Sequence, residues 1–184
     1  MQDPIDVLLQ EHEVIMGRIA DLRRAVRDLE TRGGDAVGEA LPALRSVGEM
    51  MATTLHLHAR KEDEALFPAL EVVFGSEMGP TAVMRQEHRA IHAQADLFRK
   101  TLHELHEVEH PAIVRQGAEL RDLAARGGGV AELKEAGAEI IRLLDAHFGK
   151  EEMVLFPMAR NLLQPDVLRR VMERMEEIEA DVRR

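Results

Sequence analysis

The chain has 184 residues and a formal charge of −10 from 34 acidic and 24 basic side chains, with no cysteine, tyrosine or tryptophan. The missing thiols exclude thiolate zinc sites, iron–sulfur clusters, disulfides and cysteine nucleophiles, leaving imidazole and carboxylate as the strong metal ligands, and the missing phenol excludes storage of an oxidising equivalent on tyrosine. Scattered acidic charge without a basic face excludes a phosphate-backbone partner, while the lack of a basic leader or a bilayer-length apolar run predicts a cytoplasmic protein with no membrane or nucleic-acid partner.

Apolar residues recur at helical spacing through almost the whole length and alternating β-branched runs are missing, which predicts an all-α chain with one well-filled core. Asp3 with Pro4 marks a helix start, and the stripe Leu8, His12, Ile15, Ile19, Leu22, Val26, Leu29 leads to a stop at Gly33-Gly34, so the first helix is expected over about residues 3–31. A second, from about 37, carries Leu44, Val47, Met51, Leu55, His58, Glu62 and Leu66 on one face and is expected to bend or break at Pro68. The third begins after Gly75 to Pro80, presents Met84, His88, Ile91, His92, Ala95, Phe98, Leu102 and Leu105, and should end near His110-Pro111. A short helix or kinked continuation is expected over 112–126, up to the Gly127-Gly128-Gly129 break. The fourth starts near 130 with Leu133, Ile140, Leu143, Leu144, His147, Glu151, Val154 and Leu155. A last amphipathic segment from Pro165 to Arg184 shows Leu168, Met172, Met175, Ile178 and Val182. The expected architecture is an up-down four-helix bundle over 1–162, with the C-terminal helix of 163–184 packed on or extending it.

Within this pattern His58-Ala-Arg-Lys-Glu62-Asp-Glu-Ala-Leu66-Phe67-Pro68 recurs 89 residues later as His147-Phe-Gly-Lys-Glu151-Glu-Met-Val-Leu155-Phe156-Pro157. Residues four apart share a helix face, so each segment offers one imidazole and one carboxylate to a common point, a donor pair suited to iron, manganese or zinc. Spacing alone is weak: nine histidines against an acidic fraction of 34 in 184 give about 1.7 such pairs by chance, and the chain has four. His92/Asp96 and His103/Glu107 are the other two. The common Lys, the common Leu-Phe-Pro and burial of both members single out His58/Glu62 and His147/Glu151.

Gln10-Glu11-His12 and Gln86-Glu87-His88 match as well, giving the order His, HxxxE, His, HxxxE over two helix pairs. Four inward helices bearing His and Glu at one level need a cation or an extended hydrogen-bond network, because a buried carboxylate without a partner is costly. His92, one turn after His88, is either a third nitrogen on one metal, the reading favoured here, or a hydrogen-bond partner behind the ligands. His56 should point away from the seam and be exposed, while His103, His106 and His110 read as a solvated helix end.

These residues resemble the hemerythrin-like family, also called HHE cation-binding domains. The resemblance covers about residues 5–160 and rests on His12, His58-xxx-Glu62, His88-xxx-His92, His147-xxx-Glu151 and the two Leu-Phe-Pro segments. It implies a bundle enclosing two non-haem iron ions with an oxo or hydroxo bridge, one held by His88, His92 and His147, the other by His12 and His58, with Glu62 and Glu151 bridging. One departure stands out: oxygen-carrying members have an aspartate five residues after the last histidine, whereas this chain has Glu151 at four, an arrangement similar to iron-centre repair and iron-sensing members. Simple oxygen carriage is therefore not implied.

The expectation is a cytoplasmic di-iron protein that binds or reacts with a small diatomic or peroxide ligand (O2, NO or peroxide) in sensing, detoxification or storage. Zinc or a mixed Mn/Fe pair suits the same donors. An enzymatic version would consume peroxide or NO behind an apolar shell of Phe67, Phe148 and Phe156. The alternative is a metal-stabilised interaction or iron-sensing protein with output through the C-terminal helix.

Overall fold

A computed structural model describes residues 2–75, 79–113 and 128–183. Every element among the described residues is helical. Helix α1, Pro4–Arg32, starts where the Asp3 side chain accepts the Ile5 N–H at 2.9 Å and Pro4 fills the first turn, whose N–H groups have no partner inside the helix. It ends at Gly33, whose φ of 60° lies in the left-handed region that glycine enters without steric cost.

After a 3₁₀ turn at Gly33–Ala36, the segments Val37–Met50, Met51–Leu55, His56–Lys61, Glu62–Leu66 and Phe67–Phe74 follow without a break and form one helix, α2 (37–74). Pro68 does not break it. Glu62–Leu66 is a π-helical turn in which the Phe67 N–H reaches back to the Glu62 carbonyl, so the hydrogen-bond ladder has already changed register where the proline arrives. Pro68 then occupies the first turn of Phe67–Phe74, where its missing N–H leaves no gap.

Helix α3, Pro80–Ile113, runs one turn past the expected stop at His110-Pro111. The short helix expected over 112–126 lies almost wholly outside the described residues. Helix α4 (128–162) joins Gly128–Lys150, a π-turn at Glu151–Leu155 and Phe156–Leu162, and the Phe156 N–H bonds the Glu151 carbonyl just as Phe67 bonds Glu62. The repeated Leu-Phe-Pro thus marks a repeated π-turn. After extended backbone at Leu163 and Gln164, helix α5 is Pro165–Val182.

Helix α1 lies against α2 and α4, and α3 against α4 and α2, which closes a four-helix bundle; α5 crosses the ligand-type segment of α2 and the start of α1. Gly137 permits the close approach of α4 to α1, since a Cβ there would sit 2.9 Å from Val26 Cγ2. Two apolar clusters fill the bundle. One contains Ile15, Ile19, Leu22, Leu44, Phe98, Ile140 and Phe148, and the other Ile5, Leu8, Leu66, Phe67, Leu155, Phe156, Val171, Met175 and Ile178. His12, His58, Lys61, Glu62, His88, His147 and Glu151 are the buried polar residues of the adjoining turns. No described helix is long and apolar enough to cross a membrane.

Helix α5 therefore completes the second cluster instead of lying free. The inner stripe differs from the expected one: Val171, Met175 and Ile178 are buried, Leu168 and Met172 are half-buried, and Val182 is exposed. Ile178→Ala is expected to cost about 2–5 kcal/mol in chemical denaturation, the usual range for emptying a buried site, while Val182→Ala should stay within about 0.5 kcal/mol. Equal, small effects would mean that α5 is not part of the core.

Candidate metal centre

Each ligand-type side chain reaches the bundle axis from a different turn, and its orientation is set from behind. His12 on α1 lies flat against Phe148, with ring centroids 3.8 Å apart, and against Phe156 at 5.3 Å. His88 on α3 is stacked on Phe67 at 5.6 Å. The π-turns begin at Glu62 and Glu151, and both carboxylates are wholly buried.

All four imidazoles use Nδ1 outward. His12 Nδ1 is 2.7 Å from Glu152 Oε1, His58 Nδ1 2.9 Å from Glu11 Oε2, His88 Nδ1 3.0 Å from Asp63 Oδ1, and His147 Nδ1 3.1 Å from Glu87 Oε2. A carboxylate can only accept, so each Nδ1 carries a proton, and in its neutral form each ring would turn the Nε2 lone pair inward. Carboxylate behind imidazole is the usual support of a metal-ligating histidine. Lysines reinforce two of these acceptors, Lys61 on Glu11 and Lys150 on Glu87. Burial alone would push the Glu11 and Glu87 carboxyls up, but their histidine and lysine partners hold both below the ordinary carboxylate value.

Imidazole Nε2 atoms and carboxylate oxygens face one another at the axis. His12 Nε2 and His58 Nε2 are 3.1 Å apart. His12 Nε2 is 3.3 Å from Glu151 Oε2, His147 Nε2 3.1 Å from Glu151 Oε1, His88 Nε2 3.2 Å from Glu62 Oε2, and His58 Nε2 3.5 Å from Glu62 Oε2. These separations suit ion pairs, yet both oxygens of Glu62 and Glu151 and the Nε2 atoms of His88 and His147 are buried without any hydrogen bond. A purely structural His–Glu network would close N–H···O bonds here; this one leaves its donors and acceptors aimed at common points. Burying two carboxylates costs several kcal/mol each unless they are compensated, a sum comparable with the roughly 5–15 kcal/mol net stability of a domain. A cation is the compensation that the geometry fits. Two sets of donor atoms lie within 4.8 Å of one another, His12, His58, Glu62 and Glu151 in the first and Glu62, His88, His147 and Glu151 in the second.

Six of the seven residues expected from sequence are thus brought together. The seventh, His92, joins neither set. It is half-buried, and its ring meets that of His56 edge-on with centroids 5.2 Å apart, His56 itself being exposed as expected. Burial and the neighbouring His56 and His88 hold His92 below its ordinary value, so it stays neutral. With His92 apart, the two sets are alike, two imidazoles each, where three and two were expected. His92 also lines a small gap with Leu55, His58, Ala59, His88, Ile91, His147 and Phe148, with ≈ 10 Å³ open to the centre of a water-sized molecule. That is about the room one such molecule needs. Of the expected helix-end cluster, His103 is exposed, and the side chains of His106 and His110 lie outside the described residues.

The acceptors behind the ligands, Glu11, Asp63, Glu87 and Glu152, were not singled out from sequence. Their signal was there in the repeats Glu11-His12 with Glu87-His88 and Glu62-Asp63 with Glu151-Glu152.

Fold and site together define an all-α bundle built to hold a cation among imidazoles and carboxylates. The family model described as "Hemerythrin HHE cation binding domain" matches residues 3–107 and 101–184. The chain belongs to this family. No curated protein matches it.

Without a metal, protons take its place. Burial pulls the His88 imidazole down, but Asp63 and Glu62 outweigh that and push it up to about 10. His12 and His147 are raised in the same sense, each mainly by Glu151, whose carboxyl they hold well below the usual range. His88 is consequently protonated at neutral pH in the metal-free protein, and an entering cation must expel that proton. Metal uptake in weak buffer is expected to acidify the solution, and apparent affinity should keep rising with pH across the whole neutral range instead of levelling off above the ordinary histidine value. An affinity flat over that range would place the ion elsewhere.

Proposed function

We propose that the chain is a non-haem di-iron protein that binds or reacts with a small ligand, O2, NO or peroxide, in sensing, detoxification or storage. The observation that carries this reading is that Glu62 and Glu151 belong to both four-residue sets. Glu151 turns Oε2 to His12 and Oε1 to His147, while Glu62 Oε2 lies between His58 and His88. Carboxylates shared in this way could hold two ions at once. Two iron ions bound there would supply redox-active, Lewis-acidic centres open to a small ligand.

The chain's own residues do the rest. The outer carboxylates fix the imidazole tautomers and raise the basicity of Nε2. Phe67, Phe148 and Phe156 cover the rings and keep bulk water out. The gap beside His58, His88 and His147 has room for about one water-sized molecule, which supports a small ligand. His92 lies on its wall outside both donor sets, and on this reading it would supply a third nitrogen to the His88/His147 side or donate a hydrogen bond to the ligand. An iron-sensing or interaction role with output through α5 is the second reading, favoured by the contact of that helix with the site.

Anaerobic loading with Fe(II), followed by metal analysis and exposure to O2, NO and H2O2, tests the proposal. About two iron ions per chain are expected, as in two-metal sites, with a near-ultraviolet absorbance that responds to at least one of the ligands. One ion per chain, or none, would sink it, and zinc or a Mn/Fe pair in protein from unsupplemented growth would reassign the metal. Ala59→Val, which narrows the gap, should keep the iron and weaken NO binding about tenfold, near 1.4 kcal/mol. Unchanged NO affinity would move the ligand out of that gap.

A further inference from the structure

Lys61 is among the largest side chains fully withdrawn from solvent, 1% exposed, and its ammonium is held by carboxylates of two different helices, Glu11 of α1 and Glu179 of α5. The other oxygen of Glu11, Oε2, accepts the Nδ1–H of His58 at 2.9 Å. A chain of charge-assisted hydrogen bonds therefore runs from the C-terminal helix to one imidazole of the centre, through Glu179, Lys61, Glu11 and His58. The repeat reproduces its inner part only. His147 Nδ1 meets Glu87 Oε2 at 3.1 Å and Glu87 takes Lys150, but Lys150 is 48% exposed and Glu87 is its one ion-pair partner among the described residues.

We propose that Glu179 and Lys61 are positioning residues through which α5 sets the metal affinity of the His12/His58 side and leaves the His88/His147 side unaffected. The inference rests on the two-metal reading above. Its physical basis is the division of one ammonium between two carboxylates. A buried ammonium must be paired, and with Glu179 present Glu11 neutralises only part of it, so Glu11 keeps negative charge for the His58 Nδ1–H. That charge makes Nε2 a better donor to a cation. Glu179 is held in place because Val171, Met175 and Ile178 are buried in the second core cluster and Arg174 Nη2 reaches Glu64 Oε2 at 3.1 Å. With Glu179 neutralised, Lys61 falls to Glu11 alone and draws that charge away from His58.

Co(II), whose visible absorption reports its ligands and which does not react with O2 on the timescale of a titration, is the probe, added to the metal-free full chain. The wild type is expected to bind in two steps. Glu179→Gln should weaken one of them about tenfold, the low end of the effect of partners behind metal-ligating histidines, and leave the other unchanged. Glu176→Gln, an exposed position on the same helix, should change neither. In a His12→Ala background Glu179→Gln should add nothing, whereas in His88→Ala its effect should persist. Two unaltered steps in Glu179→Gln, equal weakening of both, or an undiminished effect in His12→Ala would overturn the proposal. A wild type that binds fewer than two ions would instead overturn the two-metal reading itself, so the two failures are distinguishable.

Discussion

The rest of this molecule is organised around one electrostatic constraint, two fully buried carboxylates met by four inward-facing imidazole lone pairs where two apolar clusters adjoin. Water cannot solvate these groups, and their oxygens are buried without a hydrogen-bond partner. The bundle responds in two ways. It turns every Nδ1–H outward to a half-exposed acid, which fixes the tautomers, and it stacks three phenylalanine rings on the imidazoles, which fixes their planes. Rigid donors converging on common points are what a metal site requires, and they would be an expensive way to fill a core that held none.

The π-turns belong to the same solution. A π-turn inserts one residue into the helical count, so that Leu66 and Phe67, and likewise Leu155 and Phe156, are buried in the cluster next to the site while Pro68 and Pro157 face outward. The wide turn also absorbs the proline, whose ring would otherwise meet the carbonyl four residues earlier. Glu62 and Glu151 open these turns. The change of register in the ladder is thus coupled to the presentation of the two shared carboxylates.

Much of this was legible because it is periodic. Asp3-Pro4 and Gly33 bound α1 by chemistry that acts within one turn, and HxxxE places its two side chains on one face whatever surrounds them. Pro68 misled because the proline rule assumes an α-helical ladder, and the residues that change the ladder, Glu62 to Leu66, carry no helix-breaking signature. The outer acids Glu11, Asp63, Glu87 and Glu152 were passed over because a half-exposed acid supporting a histidine looks like any acid on a solvated face; only their repetition marked them. His92 shares a helix face with His88 but stands four residues, about 6 Å, further along the axis. There its ring meets His56, and it joins neither donor set.

Duplication makes the two donor sets equivalent in sequence, and the surroundings then make them different. His12 is enclosed by Phe148 and Phe156, and its partner His58 is tied through Glu11 and Lys61 to α5. His88 is stacked on Phe67 instead, and with His58 and His147 it faces the small gap that His92 also lines. On the di-iron reading, one side of the centre is held by the fold while the other side meets the ligand, so a change in either need not disturb its neighbour directly. The shared Glu62 and Glu151 are then the route by which the sides influence each other. Coupling of this kind is reciprocal: if α5 strengthens the hold on one ion, that ion strengthens the docking of α5 by the same free energy. On that reading the C-terminal helix would both secure the centre and respond to its occupancy.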